Sequence, residues 1–143
     1  MTNAADQKLA PGHRLTLEQQ KLVNHIEHFA IQYLHSSKPA IFTIYGDAGT
    51  GKSVVLSQLF FDFQQLAAKK KSPLYKTHNF FLVNHPEILK VYKKIAGNEK
   101  HVLKKNFNRP TSFINRMHKR HSHADITIID EAHLLLSEGD HFN

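Results

Sequence analysis

Ala40-Ile41-Phe42-Thr43-Ile44-Tyr45 runs directly into Gly46-Asp47-Ala48-Gly49-Thr50-Gly51-Lys52-Ser53, and this junction decides the fold. The first six residues are β-rich and almost wholly apolar, which predicts a strand covered on both faces in a parallel sheet. A glycine-rich turn follows. From Lys52 a helix is expected to about Lys69, with Val55, Leu59, Phe63 and Leu66 on one stripe, ending in Lys69-Lys70-Lys71 before Pro73. Strand, turn and helix together give the spacing G-x-x-x-x-G-K-[ST] its physical meaning. Glycines let the backbone curl until consecutive N–H groups face one anion, and the helix N-terminus adds about half a positive charge. Gly46, Asp47, Ala48, Gly49, Thr50 and Gly51 would form the cradle, with Gly49 and Thr50 donating backbone N–H groups. Lys52 is expected to reach the β- and γ-phosphates of a nucleotide, and the Ser53 hydroxyl to ligate Mg²⁺.

Upstream, Thr16 predicts a helix N-cap, and Gln19 three residues on closes a capping box. Val23, Ile26, Phe29, Ala30 and Tyr33 then recur at spacings of three and four, and this helix is expected to end near His35 to Lys38 before Pro39. Downstream the alternation continues. Asn79 to Asn84 reads as a strand, and Pro86 opens a helix through Ile95 that carries Ile88, Leu89, Tyr92 and Ile95 as its apolar positions, with Gly97 as its stop. Residues 98–109 read as a polar, basic loop or short irregular helix, and Thr111 to about Lys119 as another helix after Pro110. Asp125 to Asp130 is a short apolar strand ending on two acids, Asp130 and Glu131. Strands alternating with helices predict an α/β fold with a parallel sheet. Met1 to Arg14 is expected to be a flexible N-terminal segment, and residues 15–143 one domain.

Hydrolysis of a bound nucleotide needs a second metal anchor and a group that orients water. Asp130, at the carboxyl end of its strand, is expected to project toward the phosphates and hold Mg²⁺ through its water shell, with Glu131 as general base. His133 completes Asp130-Glu131-Ala132-His133, which resembles the DEAH-type motif II of helicases. In order, Leu15 to Gln19, Gly46 to Ser53 and Asp130 to His133 resemble the first half of a superfamily 1 helicase motor. Gly46 to Val55, Val83 to Pro86 and Asp130 to Leu135 are similar to the pattern of the Schlafen-like DNA/RNA helicase domain group. That resemblance implies a RecA-like P-loop NTPase, a three-layer sandwich with a mostly parallel sheet, and ATP and Mg²⁺ as ligands. It also implies His133 as the link between hydrolysis and movement, and Gln19 as an adenine reader; the alternative for Gln19 is that it only closes the capping box. The expected domain is truncated after motif II, with an incomplete sheet and an exposed edge. A missing C-terminal domain or partner would supply an arginine finger, worth about 10³–10⁵ in rate, so the expected turnover of the chain alone is low.

Composition narrows the partners. The chain has 143 residues, 41% hydrophobic and 22% charged, with no cysteine, which excludes disulfides, thiolate metal sites and a cysteine nucleophile. No segment reads as a signal peptide or membrane span, and a cytoplasmic protein is expected. Nineteen basic and twelve acidic residues give +7, yet fourteen basic and only two acidic residues fall between Lys69 and Arg120, a local +12 against −5 elsewhere. This segment 69–120 is the expected contact with DNA or RNA, through Lys90, Lys93, Lys94, Lys104, Lys105, Arg109, Arg116, Lys119 and Arg120, with Phe107 or Phe113 available to stack on bases. A solvated basic surface with aromatics in the core is the plainer alternative. His118, His121 and His123 lack companion ligands at metal spacing before Asp125 and read as a basic loop. The leading expectation is an ATPase, the N-terminal motor half of a helicase-like nucleic-acid enzyme. A nucleotide-dependent switch without unwinding activity is the runner-up, and a small-molecule kinase, lacking an evident arginine-rich lid, the third.

Overall fold

The computed structural model describes residues 15–45 and 51–130. The N-terminal segment 1–14 lies outside them, as do residues 46–50 and 131–143. In chain order come α1 (Leu17–Tyr33), α2 (Lys52–Ala68), β1 (Asn79–Val83), α3 (Pro86–Ala96), a single 3₁₀ turn at Lys104–Asn106, β2 (Phe107–Asn108), α4 (Pro110–Arg120) and β3 (Ile126–Asp130). The strands form one parallel sheet in the order β2-β1-β3, with Phe81 opposite both Phe107 and Ile128, and Val83 opposite Asp130.

Local chemistry sets the helix ends. Thr16 Oγ1 accepts from the Gln19 N–H at 3.1 Å and Gln19 Oε1 accepts from the Thr16 N–H at 2.9 Å, so the capping box forms as its sequence requires. His85 caps α3 through Nδ1, which accepts from the Ile88 N–H, and Pro86 follows at a position whose N–H has no helical partner. Gly97 ends that helix, and His121 ends α4 in the left-handed region at φ 50°.

Strand order then places the helices. The chain moves from β1 to β2 on one side and must return past β1 to reach β3, so two right-handed crossovers put α3 and α4 on opposite faces. The side chains of β1 record this. Phe81 faces α2 and α3 and meets Phe60 and Tyr92 with ring centroids 5.6 and 4.6 Å apart, while Phe80 faces α4 and meets Phe113 at 5.0 Å. The result is three layers, with α1 packed outside α2. Phe60, Phe81, Tyr92 and Phe107 form the centre of the core, and Tyr92 stacks on Phe107 at an interplanar angle of 11°. Burying each such ring contributes about 1.5–3 kcal/mol.

One expected strand is not a strand. Ala40 to Tyr45 joins no ladder among the described residues. Phe42 and Ile44 turn inward against the core, and Phe42 sits edge-on to His25 and Phe29 of α1. Ile41 and Tyr45, on the other side of the pleat, are 84% and 89% exposed rather than covered. The apolar pattern is satisfied by α1 on one face only, and ladder pairing needs a neighbouring strand that apolar character alone does not provide. A second departure is β2, whose two residues fall inside the stretch read as loop.

Candidate functional site

The N-terminus of α2 is set by Gly51, at φ 82° and ψ 18°. A side chain there is strained by the left-handed backbone, and a Cβ would collide with the Gln19 side-chain amide. The backbone conformation is what calls for glycine, since the end of the Gln19 side chain can move aside, and Gln19 lies directly against Gly51. Lys52 and Ser53 occupy the first positions of α2, where no side chain caps the helix and no acidic residue sits in the first turn. Backbone donors at such an end have no partner within the helix, and the macrodipole favours an anion there.

β3 brings the second half. Asp130 closes this strand, 4% exposed, on the same face as Phe81 and Val83 and therefore toward α2 and α3. The Tyr92 hydroxyl of α3 donates to Asp130 Oδ2 at 3.2 Å, and the Ser53 side chain lies near the same phenol. Burial raises the phenol well above its ordinary pKa of 10, and the neighbouring Asp130 charge reinforces the rise, so it stays protonated and donates. Ser53, Tyr92 and Asp130 thus gather from three elements around one phenol.

The structure accordingly brings together Ser53 and Asp130 and places Gln19 beside Gly51, with half-buried Lys52 opening the same helix. Gly46, Asp47, Ala48, Gly49, Thr50, Glu131 and His133 lie outside the described residues. Tyr92 is the residue that sequence reasoning missed. It sits at an apolar position of α3, and nothing in a 3.6-residue periodicity separates a tyrosine that fills a core from one whose hydroxyl meets a distant carboxylate.

The expected nucleic-acid residues separate. Phe107, 1% exposed and stacked on Tyr92, is unavailable to a base, and Phe113 is half-buried against Phe80. Both aromatics are packing residues, because a strand residue and the inward face of a helix are where apolar area leaves water. Arg109 donates to Asn84 Oδ1 at 3.2 Å, linking the carboxyl ends of β1 and β2. Lys105, Arg116 and Arg120 stand at the opposite edge, around a pocket at the amino ends of the strands. Lys90 pairs with Glu87 on the exposed side of α3, and such a pair is worth little. His123 approaches Asp125 at 3.6 Å and the His78 ring at 5.4 Å, and no group of three metal-ligating side chains occurs among the described residues.

Two carboxyls meet where α1 packs on α2. Partial burial, with Asp62 alongside, pushes Glu27 up from 4.5 to about 7, and burial raises Asp62 as well. Gln58 donates to Asp62 Oδ1 at 2.9 Å, stabilising its ionised form, and the proton therefore resides on Glu27.

Residues 39–143 match the family model described as Schlafen group 3, DNA/RNA helicase domain. The chain belongs to this family. The match begins at the extended segment before the glycine-rich turn and takes in α2, the whole sheet and Asp130. Uncharacterized protein YPL245W of Saccharomyces cerevisiae is 45% identical over 136 residues, which cover 90% of this chain and 30% of that protein. The chain thus spans less than a third of the curated relative that it matches. No solved structure matches it. As a Schlafen group 3 helicase domain the chain is helicase-like and nucleotide-related, and its small parallel sheet with helices on both faces is compatible with a RecA-like arrangement. No helix among the described residues is long and apolar enough to cross a membrane.

Proposed function

We propose that this Schlafen group 3 helicase domain binds ATP with Mg²⁺ and hydrolyses it, as the N-terminal motor half of a helicase-like nucleic-acid ATPase. The observation that carries the reading is the hydrogen bond from Tyr92 to Asp130 at the end of β3, with Ser53 of the α2 N-terminus near the same phenol although it lies 77 positions from Asp130 in sequence. The donor set fits magnesium: a neutral hydroxyl and a carboxylate, both oxygens. When bound, the metal would supply charge neutralisation between the β- and γ-phosphates.

The chain's own residues take the remaining roles. Lys52 and the backbone N–H groups of Gly46 to Gly51 hold the phosphates, and Gln19, which lies against Gly51, reads the base while its Oε1 caps α1. Glu131 accepts the proton of the attacking water, Asp130 orients the metal's water shell, and His133 passes the change in the phosphates onward. Basic residues from Lys69 to Arg120 meet DNA or RNA. A second lobe or partner protein contributes the arginine that speeds turnover.

The test is titration calorimetry with ATP, with and without Mg²⁺, on the parent and on Lys52→Ala and Asp130→Asn. Lys52→Ala should bind at least tenfold more weakly. Asp130→Asn should lose most of the magnesium dependence. Undiminished binding by Lys52→Ala removes the phosphate-loop assignment, and tight binding without any turnover, with or without polynucleotide, favours a nucleotide-dependent switch.

A further inference from the structure

We propose that the pocket at the amino ends of the strands is a second binding site, for a phosphate-bearing nucleotide unit. It encloses about 420 Å³, within the range of small-ligand pockets, and lies at the opposite end of β1 and β3 from Asp130. Four residue steps of a strand separate the two ends, about 13 Å. The pocket is independent of the magnesium–triphosphate reading and deepens the proposed contact of residues 69–120 with nucleic acid, on which it rests.

Charge is the first reason. Lys105, Arg116 and Arg120 line the pocket together with His78 and His123, and among the described residues no carboxylate does. Arg116 is held in place rather than waving in solvent: its guanidinium donates to Asn108 Oδ1 and to the Lys105 carbonyl. An anchored guanidinium still presents further N–H donors, in the planar fork that suits a phosphate. Asp125, which follows the pocket's last residue by two positions, is already engaged, accepting from the His78 N–H at 2.7 Å and facing His123 at 3.6 Å.

The second reason is an acceptor with no donor. Asn79 lines the pocket at 1% exposure, and its Oδ1 is buried without any hydrogen-bond partner. Its orientation is dictated by backbone groups. The Leu103 N–H donates to Asn106 Oδ1, and Asn106 Nδ2 donates to the Asn79 carbonyl, which fixes Asn106. Gln64 Nε2 donates to the His101 carbonyl and to Asn106 Oδ1, which turns Gln64 Oε1 toward Asn79. Asn79 must then offer Nδ2 to Gln64, at 3.0 Å, and Oδ1 remains over. A buried polar atom without a partner calls for a ligand or water. Cations for an anion, and an acceptor for an N–H or O–H donor, are together the complement of a nucleotide, which carries phosphate and base on one unit. The same unit is presented by a free mononucleotide and by a single strand of nucleic acid.

The test uses the full chain with two probes, cytidine 5′-monophosphate and a hexacytidylate single strand. Lys105→Gln combined with Arg120→Gln removes two exposed cations and leaves Arg116 and the amide network intact, so the fold persists. This variant should bind at least tenfold more weakly at about 50 mM salt, and the slope of log affinity against log salt should fall by about one to two. In the parent, saturation with probe should shift the NMR signal of the Asn79 side-chain amide. The double variant should bind ATP with Mg²⁺ as the parent does, which keeps this site and the triphosphate reading separately testable. A loss confined to the hexanucleotide assigns the pocket to a strand, and a loss that includes the monophosphate assigns it to free nucleotides too. Equal affinity of variant and parent, no binding by the parent, or an Asn79 signal that does not move overturns the proposal.

Discussion

The two ends of the parallel sheet solve the same problem differently. At the carboxyl end, Tyr92 from α3 donates to Asp130 from β3, with Ser53 from α2 near the same phenol. At the amino end, Gln64 from α2, Asn79 from β1 and Asn106 from the 3₁₀ turn bond to one another, but one acceptor is left without a donor. Parallel strands gather all their amino ends on one edge and all their carboxyl ends on the other, so each edge collects polar side chains from elements distant in sequence. Whether the collection closes depends on its donors. A tyrosine hydroxyl both donates and accepts, so the first group ends cleanly on a carboxylate, whereas amides carry separate donor and acceptor atoms and a chain of three can strand one.

The comparison can be broken first at the residue that both ends share. Phe81, fully buried between Phe60, Tyr92 and Phe107, sits in the middle of β1. Phe81→Ala should cost about 3–5 kcal/mol in urea unfolding, and amide exchange should quicken at both ends together. Faster exchange at one end alone would mean that the two are separate units of stability. A smaller change sharpens the contrast: Tyr92→Phe keeps the ring and removes the donor to Asp130. It should cost about 1.5–3 kcal/mol, since the lost bond is to a charged group, and should leave the Asn79 side-chain signal in place.

The smallest expected effect lies at neither end. Glu27, raised to about 7 between α1 and α2, holds its proton more tightly in the folded chain than in the unfolded one. Its protonation therefore favours the fold fully below about pH 4.5, and that contribution is lost as pH rises through about 7. Solvent reaches this partly exposed pair, so the contribution is about 1 kcal/mol. Glu27→Gln should flatten the pH dependence of the unfolding midpoint between pH 4.5 and 7 and raise stability at pH 8. A midpoint that retains the parent's slope would show that another group sets it.

Much of the fold was legible because it is written in local signals. Thr16 and Gln19, Pro86 and Gly97, and Pro110 each mark a helix boundary through backbone groups within a few residues, and the structure places helix ends within one or two residues of those marks. β1 and β3 were legible from their apolar runs. Ala40 to Tyr45 carries the same kind of run and joins no ladder among the described residues, which shows the limit of that signal: it reports a wish to leave water and does not name the surface that satisfies it. For Phe42 that surface is α1. Phe107 failed in the opposite direction, since its basic neighbours Lys104 and Lys105 suggested a nucleic-acid face while the two-residue strand it occupies carries it into the core.

At the candidate site the division is similar. Gly51 before a helix, the position of Lys52 and Ser53 at its start, and an acid at the end of a strand are consequences of short-range pattern, and the sequence by itself determined them. It also determined the α/β alternation and the concentration of basic charge between Lys69 and Arg120. Only the tertiary structure decided that Ser53 and Asp130 gather around Tyr92, that Gln19 lies against Gly51, that the cations divide between two edges of the sheet, and that Asn79 keeps an unanswered acceptor. The physical reason is range. Propensity, capping and periodicity act across one or two turns of chain, whereas hydrogen-bond satisfaction in a core is settled among side chains brought together from 15 to 42 residues apart.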